Sequence, residues 1–285
     1  MSSFVMPSLA RFALVLTGLA LLTHAALAGG YERVRLPSYD GDLDAVLYRP
    51  KGPGPFRAVV ALHGCGGLWR DNGRLSLRHS DWGERLAEDG FLVLMPDSFG
   101  SRKLGSQCGV KELTVRPSRE RVADAAAARH WLQTRGDIRP DRIALLGWSG
   151  GGSTVLAAIR KDRRPADERP DFARAIAFYP GCRGQLESGS FAARLPLLML
   201  IGDLDDWTPA APCDFLTKAA RTRGEAIDLV IYPGALHDFD HPRREVKERS
   251  DIAYSATGTG KATVGTNPAA REDAIARVKA FLKGL

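Results

Sequence analysis

Gly147-Trp148-Ser149-Gly150-Gly151 is the stretch that most narrows what this chain can fold into. The apolar run Arg142-Ile143-Ala144-Leu145-Leu146 precedes it and reads as a buried strand, and residues 153–160 follow it and read as a helix. A strand, a Gly-x-Ser-x-Gly turn and a helix together make a nucleophile elbow. The turn is so tight that its flanking residues must be very small. The serine then projects its hydroxyl from the end of the sheet, and the backbone N–H after it faces the same spot. Ser149 is therefore the candidate nucleophile. A glycine-rich turn with a solvated serine is the competing reading, because the chain has 30 glycines in 285 residues.

The segments around the elbow repeat one pattern. Residues 58–62, 91–95, 143–146, 175–178 and 197–201 are continuous apolar runs, as expected of strands covered on both faces, and residues 227–232 complete the set. Residues 31–36 and 43–48 read as two earlier strands joined by the turn Tyr39-Asp40-Gly41-Asp42. Helical patterns lie over residues 81–88, 117–134, 153–160, 210–222 and 270–282. Alternation of strand and helix from residue 58 onward implies one mainly parallel sheet with helices on both faces, an α/β architecture. Residues 98–116 and 241–267 lack a clear pattern and are long for loops, a length usual in lids and flexible segments. Within the second, Thr257-Gly258-Thr259-Gly260-Lys261-Ala262 fails the spacing of a phosphate-binding loop, and no strand leads into it.

The first 28 residues differ from the rest. Arg11 is their only charged side chain, residues 12–22 form a short apolar run, and Ala26-Leu27-Ala28 offers small residues for cleavage. This is the pattern of a secretory signal peptide cut after Ala28, too short for a comfortable membrane span. An uncleaved anchor is the alternative. Residues 29–285 then suit one domain, periplasmic or secreted, without stable membrane insertion once the signal is removed. The net charge of +7 comes from scattered basic residues rather than a stripe with interleaved aromatics, which argues against a nucleic-acid partner. Cys65, Cys108, Cys182 and Cys213 include no Cys-x-x-Cys pair, so no structural zinc site is expected. An exported protein can keep disulfides, and four cysteines allow three connectivities.

A serine hydroxyl needs a base, and histidine suits because its unperturbed pKa is about 6.5. In the elbow fold the triad partners follow in the order serine, acid, histidine. His237 closes Tyr232-Pro233-Gly234-Ala235-Leu236-His237 after the last strand and is the first candidate; His241 is the second. His63 reads as an anchor of its loop, His79 as a solvated residue at a helix start, and His130 as packing within a helix. The acid falls in Gly202-Asp203-Leu204-Asp205-Asp206-Trp207-Thr208-Pro209, where spacing favours Asp205 over Asp206 and Asp203. Two backbone N–H groups are needed for an oxyanion hole, and Gly150 and Cys65, the latter in His63-Gly64-Cys65-Gly66-Gly67, are the candidates. Trp148, Trp207 and Tyr179 read more simply as packing than as pocket walls.

These segments, with Pro96-Asp97-Ser98-Phe99 and Phe178-Tyr179-Pro180-Gly181, resemble the dienelactone hydrolase family. The resemblance implies an α/β-hydrolase fold with an eight-stranded sheet and no separate cap domain, and a triad of Ser149, Asp205 and His237. It also implies that Cys65 pairs with Cys108 and Cys182 with Cys213, because each pair follows adjacent strands at the active-site edge of that fold. The namesake enzymes carry a cysteine in the elbow and work in the cytosol, whereas serine stands at position 149 here behind an export signal. The expected activity is hydrolysis of a small-molecule or polymeric ester, or a lactone, with no cofactor and no metal. A serine peptidase of the same fold and a non-catalytic binding protein are the alternatives. The sequence does not specify oligomeric state.

Overall fold

The computed structural model describes Met1 and residues 30–165, 167–189 and 191–285. The expected signal peptide lies outside the described residues apart from Met1. No helix among the described residues is long and apolar enough to cross a membrane.

Eight strands form one sheet in the order β1-β2-β4-β3-β5-β6-β7-β8. They are β1 (Glu32–Ser38), β2 (Gly41–Tyr48), β3 (Phe56–Leu62), β4 (Phe91–Pro96), β5 (Ile138–Trp148), β6 (Arg174–Phe178), β7 (Leu197–Gly202) and β8 (Ile227–Tyr232). β2 runs antiparallel to both β1 and β4, and the pairings from β4 through β8 are parallel. Every residue of β4 and β7 is buried, which is why these segments read as unbroken apolar runs. β8 sits at the edge, and its middle residues are partly or fully exposed.

The helices are α1 (Leu77–Glu88), α2 (Glu120–Gln133), α3 (Gly150–Ala158), α4 (Arg183–Glu187), α5 (Ala210–Thr222) and α6 (Pro268–Leu282). The step from β3 to β4 moves one way across the sheet, while those from β4 to β5 to β6 and from β7 to β8 move the other way. Right-handed crossovers therefore put α1 on one face and α2, α3 and α5 on the opposite one. α6 joins α1 through an ion pair between Arg271 and Asp81 (2.6 Å). Asn267 caps α6 by accepting from the N–H of Ala270, with Pro268 in the first turn. This is the α/β-hydrolase fold.

Two differences from the sequence reading matter. First, α1 starts at Leu77, four residues before the expected start, so His79 is inside the helix. It is buried edge-on against Trp148 and not solvated. Second, the two long loops are pinned. Residues 98–116 contain a 3-10 turn, Gly100–Arg102, whose Arg102 bridges Asp40 and Asp124. Residues 241–267 contain a small antiparallel hairpin, β9 (Lys247–Arg249) and β10 (Ala262–Val264).

Candidate active site

The elbow has the geometry its sequence demands. Ser149 has φ 52° and ψ −117°, a conformation that L residues rarely adopt, and such strain persists only where the surroundings enforce it. A Cβ on Gly147 would lie 2.3 Å from the carbonyl oxygen of Gly151, and one on Gly151 would lie 2.1 Å from that of Leu62. No larger residue fits at either position. The Ser149 N–H donates to the carbonyl of Phe178 (3.0 Å), so the turn extends the β5–β6 ladder by one bond.

The structure brings three of the sequence candidates together. His237 Nε2 lies 3.1 Å from Ser149 Oγ, and His237 Nδ1 lies 2.8 Å from Asp205 Oδ2. All three side chains are buried; Ser149 is the most open, at 8% exposed. Asp205 also accepts from the backbone N–H groups of Trp207 (3.0 Å) and Thr208 (2.8 Å), and the Thr208 hydroxyl is 3.0 Å from Oδ2. A carboxylate held by this many donors cannot swing away from the imidazole. The backbone of His237 is held by the hairpin insertion, because Gly265 N–H donates to its carbonyl (3.0 Å) and Val264 forms a parallel bridge with it.

The rival candidates have other partners. Asp206 points to the insertion, accepting from Thr263 N–H (2.8 Å) and Thr263 Oγ1 (3.2 Å). Asp203 accepts from Gly234 N–H (2.7 Å) and so fixes the turn after β8. His241 accepts from Arg243 N–H at Nδ1 (3.1 Å), and burial, with Arg78 and Arg244 nearby, lowers its pKa to about 3. His63 donates from Nδ1 to the carbonyl of Gly64 (2.8 Å) and accepts the N–H of Ser98 at Nε2 (3.2 Å). Burial and the neighbouring Arg121 hold it well below its ordinary pKa, so it is a neutral anchor joining the two loops after β3 and β4. His130 is half-exposed and pairs with Asp167 (2.7 Å).

The two oxyanion candidates converge as well. Gly150 opens α3, where backbone N–H groups lack helical partners. A Cβ placed on Gly150 would be 3.7 Å from Cys65 N, which puts the two amides side by side next to Ser149. Cys65 is bonded to Cys108, and Cys182 to Cys213. The Gln107 N–H donates to the carbonyl of Cys65 (2.8 Å), and the Ala253 N–H to that of Cys108 (2.8 Å). This disulfide and the two backbone hydrogen bonds tie the loop after β3, the loop after β4 and the hairpin insertion into a single rim.

One group escaped the sequence reading. Asp240 is completely buried and accepts from Trp82 Nε1 (2.8 Å), Trp148 Nε1 (2.9 Å) and Tyr179 Oη (2.5 Å), with Arg78 Nε 3.3 Å away. Arg78 also pairs with Asp238. Burial alone would raise Asp238, but Arg78 and Arg244 outweigh it and hold the carboxyl well below its usual range. Tyr179 has its ring 4.5 Å from that of His237. Trp148 and Tyr179 are thus core residues carrying polar contacts. Trp207, half-buried 4.8 Å from His237, also faces open space beside Ser149.

Two cavities meet at Ser149. One, of about 320 Å³, is mostly apolar, with walls from Val110, Leu113, Pro212 and Tyr254. The other, of about 460 Å³, is polar and lined by His237 and a run of cations. Among the described residues no cluster of His, Cys, Asp and Glu could hold a metal ion.

The dienelactone hydrolase family model matches residues 43–285. The chain belongs to the dienelactone hydrolase family. It is similar to a candidate carboxymethylenebutenolidase of Methylorubrum extorquens, at 25% identity over 241 residues, covering 78% of this chain and 76% of that protein. It is also similar to a probable 2-oxo-3-(5-oxofuran-2-ylidene)propanoate lactonase of a Bradyrhizobium species, at 26% identity over 221 residues, covering 70% of this chain and 80% of the relative. Among solved structures, a candidate dienelactone hydrolase from Klebsiella pneumoniae superposes with a TM-score of 0.67 at 19% identity, covering 90% of this chain and 98% of that one. This last likeness is one of fold. Membership makes the chain a member of a hydrolase family with esterase-like and lactonase-like relatives.

Proposed function

We propose that this family member is an exported serine hydrolase that cleaves carboxylic esters or lactones through an acyl-enzyme. The observation that carries the reading is the hydrogen-bonded line from Ser149 Oγ through both nitrogens of His237 to Asp205. Ser149 attacks the carbonyl carbon while His237 Nε2 takes its proton. Asp205 holds the tautomer with the proton on Nδ1 and stabilises the imidazolium that forms. Charge developing on the carbonyl oxygen is met by the N–H groups of Cys65 and Gly150, each worth about 3 kcal/mol in the transition state. His237 then protonates the leaving alcohol, and water repeats the sequence to free the acid.

Export is supported by the two disulfides, which persist in oxidising compartments, and by the signal pattern of residues 1–28. The test of the nucleophile is direct. Ser149→Ala lowers turnover of any ester substrate by roughly 10⁴–10⁶-fold with the fold intact. A fluorophosphonate probe labels the wild-type protein and not the variant. A folded wild-type protein that resists the probe, or a variant with near-normal turnover, would sink the assignment. Export is checked by sequencing the N-terminus of the mature protein, expected to begin at Gly29.

A further inference from the structure

We infer that Arg121, a buried guanidinium with no carboxylate of its own, is the fixed countercharge for the oxyanion that forms beside the amides of Gly150 and Cys65. The inference rests on the esterase reading and deepens it by adding a residue to the same reaction.

Arg121 is the second residue of α2 and is only 1% exposed. No carboxylate lies within ion-pair distance of it among the described residues. The two carboxylates whose charge it feels, Asp124 and Asp97, serve other donors. Asp124, on the next turn of α2, accepts two bonds from Arg102 of the 3-10 turn (2.7 and 3.0 Å). Asp97, after β4, accepts from Trp69 Nε1 (2.9 Å) and the Gly100 N–H (2.9 Å). Arg121 itself donates from Nη2 to the carbonyl of His63 (2.6 Å) and lies 5.2 Å from the centroid of the Phe99 ring. His63, the other titratable group against it, is neutral. Nε of Arg121 is buried without a hydrogen-bond partner, and Nη1 has none among the described residues. Burial lowers its pKa to about 10, so it stays charged at neutral pH. A buried cation without a counterion opposes folding, and such groups are normally paired.

Its place explains the missing partner. A Cβ on Gly150 would lie 3.5 Å from Arg121 Nη1 and 3.7 Å from Cys65 N. The free arm of the guanidinium and the amide of the loop after β3 therefore approach the same side of the residue that follows Ser149. Attack by Ser149 Oγ forms the oxygen–carbon bond, moves the carbonyl π pair onto its oxygen and sends the hydroxyl proton to His237. The site then holds two new charges, an imidazolium and an oxyanion. Asp205 stands against the first. Arg121 faces the second, which is the anion it lacks in the resting protein. An ester is neutral before attack, so the charge of Arg121 acts on the intermediate far more than on the bound substrate, and such a difference raises kcat.

The test separates the charge of Arg121 from its hydrogen bond to His63. Arg121→Met removes both, Arg121→Gln keeps a neutral donor, and Arg121→Lys keeps a positive charge. With 4-nitrophenyl acetate as substrate, kcat is expected to fall about 10–100-fold in Arg121→Met, the effect of opposite charges several ångströms apart at an effective dielectric constant of about 20. Arg121→Gln is expected to match Arg121→Met, and Arg121→Lys to recover most of the loss. The Lys variant also carries its own pH signature. Burial lowers the lysine below its ordinary pKa of about 10.4. Its kcat therefore drops toward that of Arg121→Met as the pH rises from 7 to 9.5, and the ratio of wild type to Arg121→Met stays constant over that range. A neutral lysine can still donate to the His63 carbonyl, so a merely structural Arg121 would give no such limb. Full kcat in Arg121→Met, a Gln variant as active as the Lys variant, or a Lys variant without the limb overturns the countercharge. If Arg121→Met fails to fold, the Lys and Gln variants carry the same test. Fluorophosphonate labelling separates the two failures: a labelled wild-type enzyme whose variants keep full kcat refutes the countercharge alone, and an unlabelled, inactive wild-type protein refutes the esterase reading with it.

Discussion

Asp205 and Asp240 are two buried aspartates near the same histidine, each surrounded by several donors, yet they have different positions relative to the proposed chemistry. Asp205 touches the imidazole of His237, and two of its other donors are the backbone N–H groups of Trp207 and Thr208. Asp240 does not touch His237. Its donors are side chains on three other parts of the chain, and they fix Trp148 next to Ser149 and Tyr179 against the His237 ring. Burial and satisfied hydrogen bonds alone do not place a carboxylate in the proposed triad. Contact with the His237 imidazole does.

The sharpest way to break that contrast is to neutralise each aspartate in turn. Asp205→Asn is expected to cut kcat by about 10⁴-fold, because an amide supports the wrong imidazole tautomer, while the melting temperature changes little. Asp240→Asn is expected to behave in the opposite proportion. It leaves buried donors facing an amide and a buried Arg78 short of one partner, costing about 3 kcal/mol of stability. Its effect on kcat is expected to be about 10–100-fold, the scale of a small misplacement of catalytic groups. Paired kinetics and thermal melts separate the two outcomes. An Asp240→Asn protein as stable as wild type but as inactive as Asp205→Asn would show that the two residues act as one unit.

The rim sharpens the contrast from the other side. Cys65→Ser/Cys108→Ser removes the brace on the proposed oxyanion loop and is expected to cost about 2–4 kcal/mol of stability. The same variant is expected to lose activity by about tenfold, less than one oxyanion donor is worth, because the loop is loosened and the N–H of residue 65 remains. A stopped-flow or steady-state comparison with and without reductant on the wild-type protein checks the same point.

The smallest expected effect at neutral pH concerns His79, which is packed against Trp148. Burial and the nearby Arg78 lower its pKa from 6.5 to about 3. In the folded protein it stays neutral while the unfolded chain takes up a proton as the pH drops below about 6.5. Its contribution is therefore fully present above pH 6.5 and is lost as the pH falls toward 3, by about 1.4 kcal/mol per pH unit. Melts between pH 7 and 4 are expected to show this decline, flattened in His79→Gln. An unchanged slope in that variant would place the acid sensitivity elsewhere.

Much of this molecule was legible as a line of residues, and the legible parts share a cause. The elbow, the acid turn and the histidine turn each lie within a few residues of a strand end, so local pattern locates them. Asp205 could be ranked above its neighbours by its spacing from the strand end and from Pro209, and its support is equally local, from the N–H groups two and three residues ahead. Asp206 could not be given its own task, since Thr263 lies 57 residues away. The start of α1 was misplaced because no side-chain cap marks it: Ser76 precedes the helix without accepting a cap hydrogen bond. His79 was misread with it, and only a Trp148 packed against it shows why the residue is inside.

The sequence alone determined the chain's strand–helix alternation, its small-residue elbow and the residue types of the proposed acyl-transfer site, because these depend on neighbours one to four positions apart. Only the tertiary structure decided that Asp206 turns to Thr263 and away from the imidazole, that Asp240 gathers donors 158, 92 and 61 residues distant, and that the long segment after β8 is pinned as part of the site's wall. Such choices are made by which strand ends become adjacent when the sheet closes, and no local pattern carries that information.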